Sequence, residues 1–169
     1  MLPDIECSAS LRQRGLWLAR EAPADEPAMR ALYIRHRLPE FSALPMLEAA
    51  KLALVGGQFD MQRNSYRASH PDARFLALFA HGVVAGRLYL ASVGADVLLL
   101  DILIAEDLRG AGVGRDLIEA LKQGAFANGQ GVLLHVDKTN RARTLYERLG
   151  FRVTGDAEVS WAMAARPST

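Results

Sequence analysis

In its middle section the chain alternates short apolar runs with turn signals, and this pattern predicts β-strands. The runs 75–80 and 83–93 are separated by His81-Gly82, a pair typical of a tight turn, so they are predicted to form a hairpin. A second turn at 94–96 leads into the apolar run 97–105, which predicts a third strand. Because these strands follow one another through short connections, they are expected to pair antiparallel.

The pattern before this section predicts a strand followed by two helices. The strand is predicted over 16–20, the first helix over 26–37 and the second over 46–70. Asp25 is placed to cap the first helix, with Pro27 in the first turn, where proline is tolerated. Two prolines within 38–45 predict a break, and Gly56-Gly57 is expected to interrupt or kink the second helix.

After the third strand, helical and strand patterns alternate. The predicted elements are a helix over 114–128, a strand over 132–136, a helix over 140–149 and a last strand or strand pair over 151–164. Antiparallel hairpins are thus followed by helix-crossover strands. The predicted fold class is α/β (α+β), with a mixed, mainly antiparallel central sheet of about six or seven strands and helices on both faces.

Length and composition fit one domain. The chain has 169 residues, of which half are hydrophobic, so it can bury a core of its own. No repeat or linker divides it, and residues 14–166 are predicted to form a single domain after a flexible N-terminus of residues 1–13. The single cysteine, Cys7, excludes an internal disulfide and a cysteine-built zinc site, and it is expected to have no role.

Charge and hydropathy restrict the partners. A net charge of +1, with basic and acidic residues well mixed, argues against a protein that binds nucleic acid through a basic field. The N-terminal residues do not resemble a signal peptide, and no apolar run approaches the ~18 residues of a membrane span. The protein is therefore expected to be cytoplasmic, with neither nucleic acid nor membrane as a partner.

Residues 109–115, Arg-Gly-Ala-Gly-Val-Gly-Arg, lie between the third strand and the next helix and are the most informative stretch. Glycines permit a tight bend and leave backbone N–H groups uncovered, and the following helix adds its own unpaired N–H groups and positive dipole end. Arg109 and Arg115 flank the bend and can donate charge-assisted hydrogen bonds to phosphate oxygens. The segment therefore predicts a phosphate-binding loop, built from Arg109, Gly110, Ala111, Gly112, Val113, Gly114 and Arg115.

The spacing of the glycines excludes two nucleotide loops. A nucleoside-triphosphate loop requires Gly-Lys-Ser/Thr at its end, but Gly114 is followed by Arg115. A dinucleotide fingerprint requires Gly-x-Gly-x-x-Gly, and no register of the alternating glycines fits it. The arrangement Arg109-x-x-Gly112-x-Gly114 instead resembles the pyrophosphate-binding loop of the GCN5-related N-acetyltransferase (GNAT) family, which holds the diphosphate of acetyl-coenzyme A.

A second segment, residues 140–151, resembles a later motif of the same family. The matching residues are Asn140, Ala142, Leu145, Tyr146, Gly150 and Phe151. The residues give a consistent local interpretation, since Leu145 and Leu149 share one helix face and Gly150 supplies the left-handed residue that ends the helix. The two motifs occur in the right order, and the resemblance covers roughly residues 14–164. It implies the acetyltransferase fold.

The resemblance also implies the reaction and the site residues. The protein is expected to transfer the acetyl group of acetyl-CoA to a primary amine of a small molecule or peptide, by direct attack in a ternary complex and without a metal. Tyr146 matches a tyrosine beside the coenzyme A sulfur and is expected to act as the general acid. The backbone of Leu103 and Ile104 is expected to bind the pantetheine arm, with one N–H facing the thioester carbonyl. Asn140 is expected near the thiol end, and Arg143 can reach a phosphate.

The general base has two candidates. Asp101 is the only carboxylate in the apolar run before the loop, and burying a charge there is costly unless it is paired or useful. Either it serves as the base or it pairs with an arginine or a backbone N–H. His135, on the strand after the helix, is the rival base, although a lone histidine on a strand is often structural.

The sequence says less about the acceptor site than about the donor site. Residues 33–45 lie where the family builds its acceptor lid, and Arg63, Tyr66 and Arg67 share a helix face that either selects an acidic acceptor or is ordinary surface. The acceptor, the oligomeric state (a homodimer included) and the use of a longer acyl donor stay open. The alternative function is a catalytically inactive acetyl-CoA-binding sensor or scaffold.

Overall fold

Seven strands form one sheet in the computed structural model, which describes residues 1–167. They are β1 Leu16–Arg20, β2 Arg74–Ala80, β3 Val83–Val93, β4 Asp96–Ile104, β5 Val132–Asp137, β6 Arg152–Asp156 and β7 Ser160–Ala165. The strand order is β1-β2-β3-β4-β5-β7-β6. Only β4 and β5 are parallel, and every other neighbouring pair is antiparallel. The mixed, mainly antiparallel sheet that the sequence predicts is confirmed.

Five α-helices cover the two faces of this sheet in residues 1–167. They are α1 Ala9–Gln13, α2 Glu26–Arg37, α3 Glu48–Ser69, α4 Val113–Ala127 and α5 Ala142–Arg148. On one face, α2 and α3 bury Met29, Val55 and Phe59 against the sheet. On the other face, α4 and α5 bury Leu121 and Tyr146. Helices therefore lie on both faces, as predicted.

The paired glycines of α3 do not interrupt the helix, so this part of the prediction is wrong. The helix runs without a break from Glu48 to Ser69, and Gly56 is buried within it. The guanidinium of Arg30 from α2 lies directly over Gly56, where a Cβ atom would overlap it. That guanidinium also pairs with Asp60 at 3.4 Å. Gly56 thus permits two helices to approach each other closely, and tertiary packing offsets its low helix propensity.

The first thirteen residues pack against the domain, which differs from the flexible N-terminus that the sequence predicts. Leu2 and Ile5 belong to the core under α4, while Cys7 and Leu11 pack against the start of that helix. Ser8 caps α1 by accepting a hydrogen bond from the backbone N–H of Leu11 (3.2 Å). The apolar side chains of this segment are irregularly spaced, so no helix or strand period reveals them before the core that receives them is known.

A substitution in this segment tests the packing. Leu11 is fully buried, and Leu11→Ala is expected to lower the free energy of unfolding by about 2–5 kcal/mol through lost burial and a residual cavity. Leu47→Ala is the matched control, because Leu47 is 82% exposed and its loss should change stability by less than about 0.5 kcal/mol. Urea unfolding followed by circular dichroism measures both. Equal, negligible effects would show that the N-terminal segment is not docked in solution.

Candidate functional site

A β-bulge at Leu100 changes the direction of the side chains along β4. Leu90 of β3 pairs with Leu99, whereas Tyr89 pairs with Asp101, so Leu100 is one extra residue in the strand. Before the bulge, Leu99 packs in the core under α4. After it, Leu103 packs with α2 and α3. Because one inserted residue moves all later side chains to the opposite face, the bulge places Asp101 on the side of α2 and α3.

The parallel pairing of β4 with β5 ends at the same place. Residues 97–99 pair with residues 132–134, and no ladder pair beyond them is formed within the described chain. The two strands therefore separate, and a cavity of about 320 Å³ opens where they part. Its walls come from the separated ends of β4 and β5, from β3, and from α2, α3 and α5. Asp101, Asn140, Tyr146 and the rival base His135 all line it.

Asp101 forms an ion pair with the Nε of Arg87 from the neighbouring strand β3. Its side chain is 21% exposed, whereas that of Arg87 is 2% exposed, so the carboxylate faces the cavity and the guanidinium lies behind it. Burial raises the pKa of Asp101 above its ordinary value, against the opposing attraction of Arg87. Asp101 therefore pairs with an arginine, as one of the two alternatives predicts, and it also lines the cavity, while its role as the base stays a prediction.

Tyr146 and Asn140 enter the cavity from the α5 side. The Tyr146 ring is buried and packs edge-on against Phe151, with 5.7 Å between the ring centroids. Burial, together with the nearby charge of Asp101, raises the pKa of Tyr146 to about 12, so its hydroxyl stays protonated at neutral pH. The side-chain oxygen of Asn140 accepts a hydrogen bond from the backbone N–H of Ala142 (2.8 Å), the first residue of α5.

The backbone of β4 offers Ile104, but not Leu103, to the gap between the strands. Ala105 donates its N–H to the carbonyl of Ala85 at 2.8 Å, and hydrogen-bonded pairs alternate along an antiparallel ladder. By this alternation Leu103 directs its N–H and C=O towards β3, while Ile104 directs its own away from β3. The expected contact of Leu103 with a pantetheine arm is therefore wrong, because its backbone groups are used within the sheet.

The loop that the sequence predicts as a phosphate site leaves its N–H groups free. Gly110 and Gly112 adopt left-handed conformations, with φ of 72° and 81°, and α4 begins at Val113. Within residues 1–167, no backbone or side-chain acceptor is hydrogen-bonded to the N–H groups of residues 110–115. Unpaired N–H groups at a helix start favour an anion. Gly114 has a separate role, since a Cβ atom there would lie 3.1 Å from the Cδ1 of Ile104.

The charged residues proposed to assist the loop differ in position. Arg109 donates to the carbonyl of Ile104 (3.0 Å) and approaches the Nδ1 of His36 on α2 (2.7 Å). Burial and the adjacent Arg109 lower the pKa of His36, which favours a neutral imidazole that accepts this hydrogen bond. Arg115 is exposed in the first turn of α4. Arg143 pairs with Glu147 (2.8 Å) and stacks on the ring of Trp161 (4.8 Å).

The three α3 residues Arg63, Tyr66 and Arg67 do not line the cavity together. Arg63 is 5% exposed and pairs with Glu21, which is also buried, and with Glu26 at 3.3 Å. It is part of a buried ion-pair network and does not line the cavity. Arg67 lies over the ring of Phe75. Of the three residues, only Tyr66 lines the cavity, where its hydroxyl donates to the carbonyl of Leu100 (3.3 Å).

Sequence reasoning missed Arg87 and Gln62, although both line the cavity. Arg87 is a lone charge within an apolar strand, which is the same signal that identifies Asp101. Gln62 accepts a hydrogen bond from the Nη2 of Arg87 (2.6 Å). It carries no distinguishing sequence signal, because a glutamine on a helix beside a sheet is common.

Comparison with known proteins agrees with this architecture. The family model described as "Acetyltransferase (GNAT) domain" matches residues 71–153, which span the bulged strand, the loop and α5. The match confirms, over residues 71–153, the resemblance to GNAT acetyltransferases that the two sequence motifs predict. A search of curated proteins finds no match to this chain.

Solved structures of acetyltransferases share the fold. The PaiA N-acetyltransferase from Thermoplasma acidophilum, in complex with coenzyme A, is 15% identical with a TM-score of 0.67, covering 89% of this chain and 98% of that chain. An acetyltransferase from Thermus thermophilus is 26% identical with a TM-score of 0.63, covering 89% and 96%. The ribosomal-protein-S18-alanine N-acetyltransferase from Escherichia coli is 21% identical with a TM-score of 0.63, covering 91% and 95%.

Two further properties of the described residues concern metals and membranes. In residues 1–167, no group of three or more His, Cys, Asp or Glu side chains is arranged to hold a metal ion. Over the same range, no helix is both long enough and apolar enough to cross a membrane.

The Arg87–Asp101 pair generates a pH-dependent prediction. Because burial raises the folded-state pKa of Asp101, the folded state holds its proton longer than the unfolded state, and stability is lost as the pH rises through that pKa. Arg87→Met removes the compensating charge and raises this pKa further. We expect the free energy of unfolding to fall by about 3 kcal/mol at about pH 7.5 and by less at about pH 4.5.

Urea unfolding at the two pH values measures this difference. The double variant Arg87→Met, Asp101→Asn is the control, since it lacks the titrating carboxyl and should lose the pH dependence. If the loss in Arg87→Met were equal at both pH values, the rings around Arg87, and not the charge of Asp101, would account for its contribution.

Proposed function

We propose that this protein transfers the acetyl group of acetyl-CoA to a primary amine of a small molecule or peptide. The observation that carries the proposal is the arrangement around β4. Its separated end lines a cavity with Asp101 and Tyr146, and the loop that follows it presents the unpaired N–H groups of residues 110–115. An acetyl-CoA molecule whose diphosphate binds the loop can therefore extend along β4 and place its thioester near Asp101 and Tyr146.

The loop is suited to the diphosphate of acetyl-CoA. Six consecutive free N–H groups and the start of α4 favour a polyanion, and added Cβ atoms at Gly110 or Gly112 would meet nothing within 4 Å, so the surface is open. We propose that residues 110–115 bind the diphosphate, that Arg109 and Arg115 add charge, and that Ile104 hydrogen-bonds the pantetheine arm. Asn140 is proposed to lie near the thiol end, and Arg143 to reach a phosphate by leaving Glu147.

Asp101 is the proposed general base. Acetyl-CoA supplies an activated thioester, and an amine that attacks it must lose a proton. Asp101 faces the cavity, and its raised pKa makes it a stronger base than an ordinary carboxylate. His135 lines the same cavity but is exposed, whereas Asp101 is held in place by its ion pair with Arg87. In this scheme the carboxylate of Asp101 takes the proton as the new C–N bond forms.

Tyr146 is proposed to stabilise the departing sulfur. As the C–S bond breaks, its electron pair stays on sulfur, and the Tyr146 hydroxyl can donate a hydrogen bond to it. A thiol has an ordinary pKa of about 8.5. Because the pKa of Tyr146 is about 12, hydrogen-bond donation is favoured over complete transfer of its proton. The oxyanion is proposed to be stabilised by the N–H of Ile104.

Replacement of a loop glycine tests the donor site. Gly112 has φ of 81°, a conformation that β-branched residues avoid, so Gly112→Val should distort the loop and lower acetyl-CoA affinity at least about tenfold. Gly57→Val is the matched control, because Gly57 lies in α3 with nothing within 4 Å of an added Cβ. Isothermal titration calorimetry with acetyl-CoA measures both. Unchanged affinity in Gly112→Val would contradict the assignment of the loop.

Coenzyme A release with a panel of amines tests catalysis and the two reacting side chains. Tyr146→Phe and Asp101→Asn should each lower kcat by about 100-fold or more and leave the Kd for acetyl-CoA nearly unchanged, since the first removes the hydrogen-bond donor to sulfur and the second removes the base. Arg148→Gln, an exposed substitution on the same helix as Tyr146, is the control. Tight acetyl-CoA binding by the native protein without release on any amine would favour the sensor or scaffold alternative.

A further inference from the structure

Two guanidinium groups line the acceptor side of the cavity. Arg87 lies on β3, and Arg37 lies in the last turn of α2. Both stand on the face of the sheet that the bulge at Leu100 gives to Asp101. A wall that combines a carboxylate with two guanidinium groups can contact both a cationic and an anionic group of a ligand.

Arg87 is held as a rigid donor. Its Nε binds Asp101 and its Nη2 binds Gln62, while its guanidinium carbon lies 5.3 Å from the ring centroid of Tyr33 and 5.0 Å from that of Tyr89. Its remaining nitrogen, Nη1, has no hydrogen-bond partner within residues 1–167, although the side chain is only 2% exposed. Nη1 is not among the fully enclosed polar atoms of the described residues, so it is accessible from the cavity and can donate to a ligand there.

Arg37 adds a second donor group with unused capacity. Its Nη2 pairs with Glu40 at 3.2 Å, but its Nη1 and its buried Nε have no hydrogen-bond partner in the described part of the chain. The two guanidinium groups therefore keep N–H groups unused although each already has a carboxylate neighbour. Carboxylate oxygens are the acceptors that form strong charge-assisted hydrogen bonds with such groups.

We infer that the acceptor is a small amino acid, whose carboxylate binds the free N–H groups of Arg37 and Arg87 and whose amine lies at Asp101. This inference rests on the proposed function. Arg87 contacts Asp101 directly, so a carboxylate at Arg87 and an amine at Asp101 must be close together in the substrate, as they are in an amino acid. The cavity of about 320 Å³ must also admit the acetyl end of the donor, which limits the acceptor to a small molecule.

The charges of the wall also suit a zwitterion. Arg37 and Arg87 are balanced by Glu40 and Asp101, so an amine that carries its own carboxylate enters without adding net charge. An amine without a carboxylate leaves the two guanidinium donors unpaired, and the site should discriminate against it for that reason.

The test compares each of a set of amino acids with its carboxamide and with its decarboxylated amine, by coenzyme A release under acetyl-CoA saturation. The amino acids should show kcat/KM at least about tenfold higher, the size expected for one lost charge-assisted hydrogen bond. Arg37→Gln should remove this preference by lowering kcat/KM for the amino acids alone. Arg67→Gln also removes one positive charge on the α2 and α3 side, but Arg67 does not line the cavity, and this variant should retain the preference.

Arg87→Lys provides a second variant that keeps a positive charge but lacks the planar fork, and it should also lose the preference. Equal kcat/KM values for the amino acids and their decarboxylated amines would overturn the inference and leave the proposed acetyl transfer intact. Retention of the preference in both Arg37→Gln and Arg87→Lys would overturn it as well. Absence of coenzyme A release with every amine would instead refute the proposed function, and the inference with it.

Discussion

The extra residue at Leu100 is the constraint on which the rest of the site depends. Without it, Asp101 would continue the alternation of Val97 and Leu99 and would face the core under α4. With it, the carboxylate faces α2 and α3, and the parallel pairing with β5 ends just before it. One irregular residue therefore both opens the sheet and supplies the opening with a charged group. Bulges beside active sites commonly redirect side chains in this way.

The charged groups behind the cavity are connected through aromatic rings. Glu21 accepts hydrogen bonds from buried Arg63 and from the hydroxyl of Tyr89 (2.6 Å), and the ring of Tyr89 packs on Arg87. Burial raises the pKa of Tyr89, so it remains the donor in this contact. Buried ion pairs seldom add net stability compared with apolar residues of similar size. Their presence here is better explained by the fixed position they give to Arg87 and hence to Asp101.

The parts of the fold and site that depend on nearby residues could be predicted from the sequence. The His81-Gly82 turn, the loop at residues 109–115 and the helix that ends at Gly150 each follow from local backbone requirements. The bulge at Leu100 could not be predicted, since apolar residues stand on both sides of Asp101 and conceal which residue is extra. The docking of Leu11 and the use of Gly56 beneath Arg30 depend on distant partners, and local propensity misrepresents both.

The donor and acceptor halves of the proposed site differ in the same way, since the first depends on nearby residues and the second on distant ones. The loop proposed to bind the donor consists of backbone N–H groups on consecutive residues, so spacing alone predicts it. The proposed acceptor wall is assembled from α2, β3 and β4, and its donors become apparent only when position and partners are both known. Arg63 pairs with two carboxylates, and its own unpaired Nε is buried away from the cavity, whereas Arg37 and Arg87 keep unpaired N–H groups at the cavity wall. An arginine in the sequence shows that a positive charge is present, but it does not show whether the N–H groups are free to bind a ligand. In this protein the packing of the helices and the hydrogen bonds already formed within the fold decide which guanidinium groups remain free to recognise a substrate.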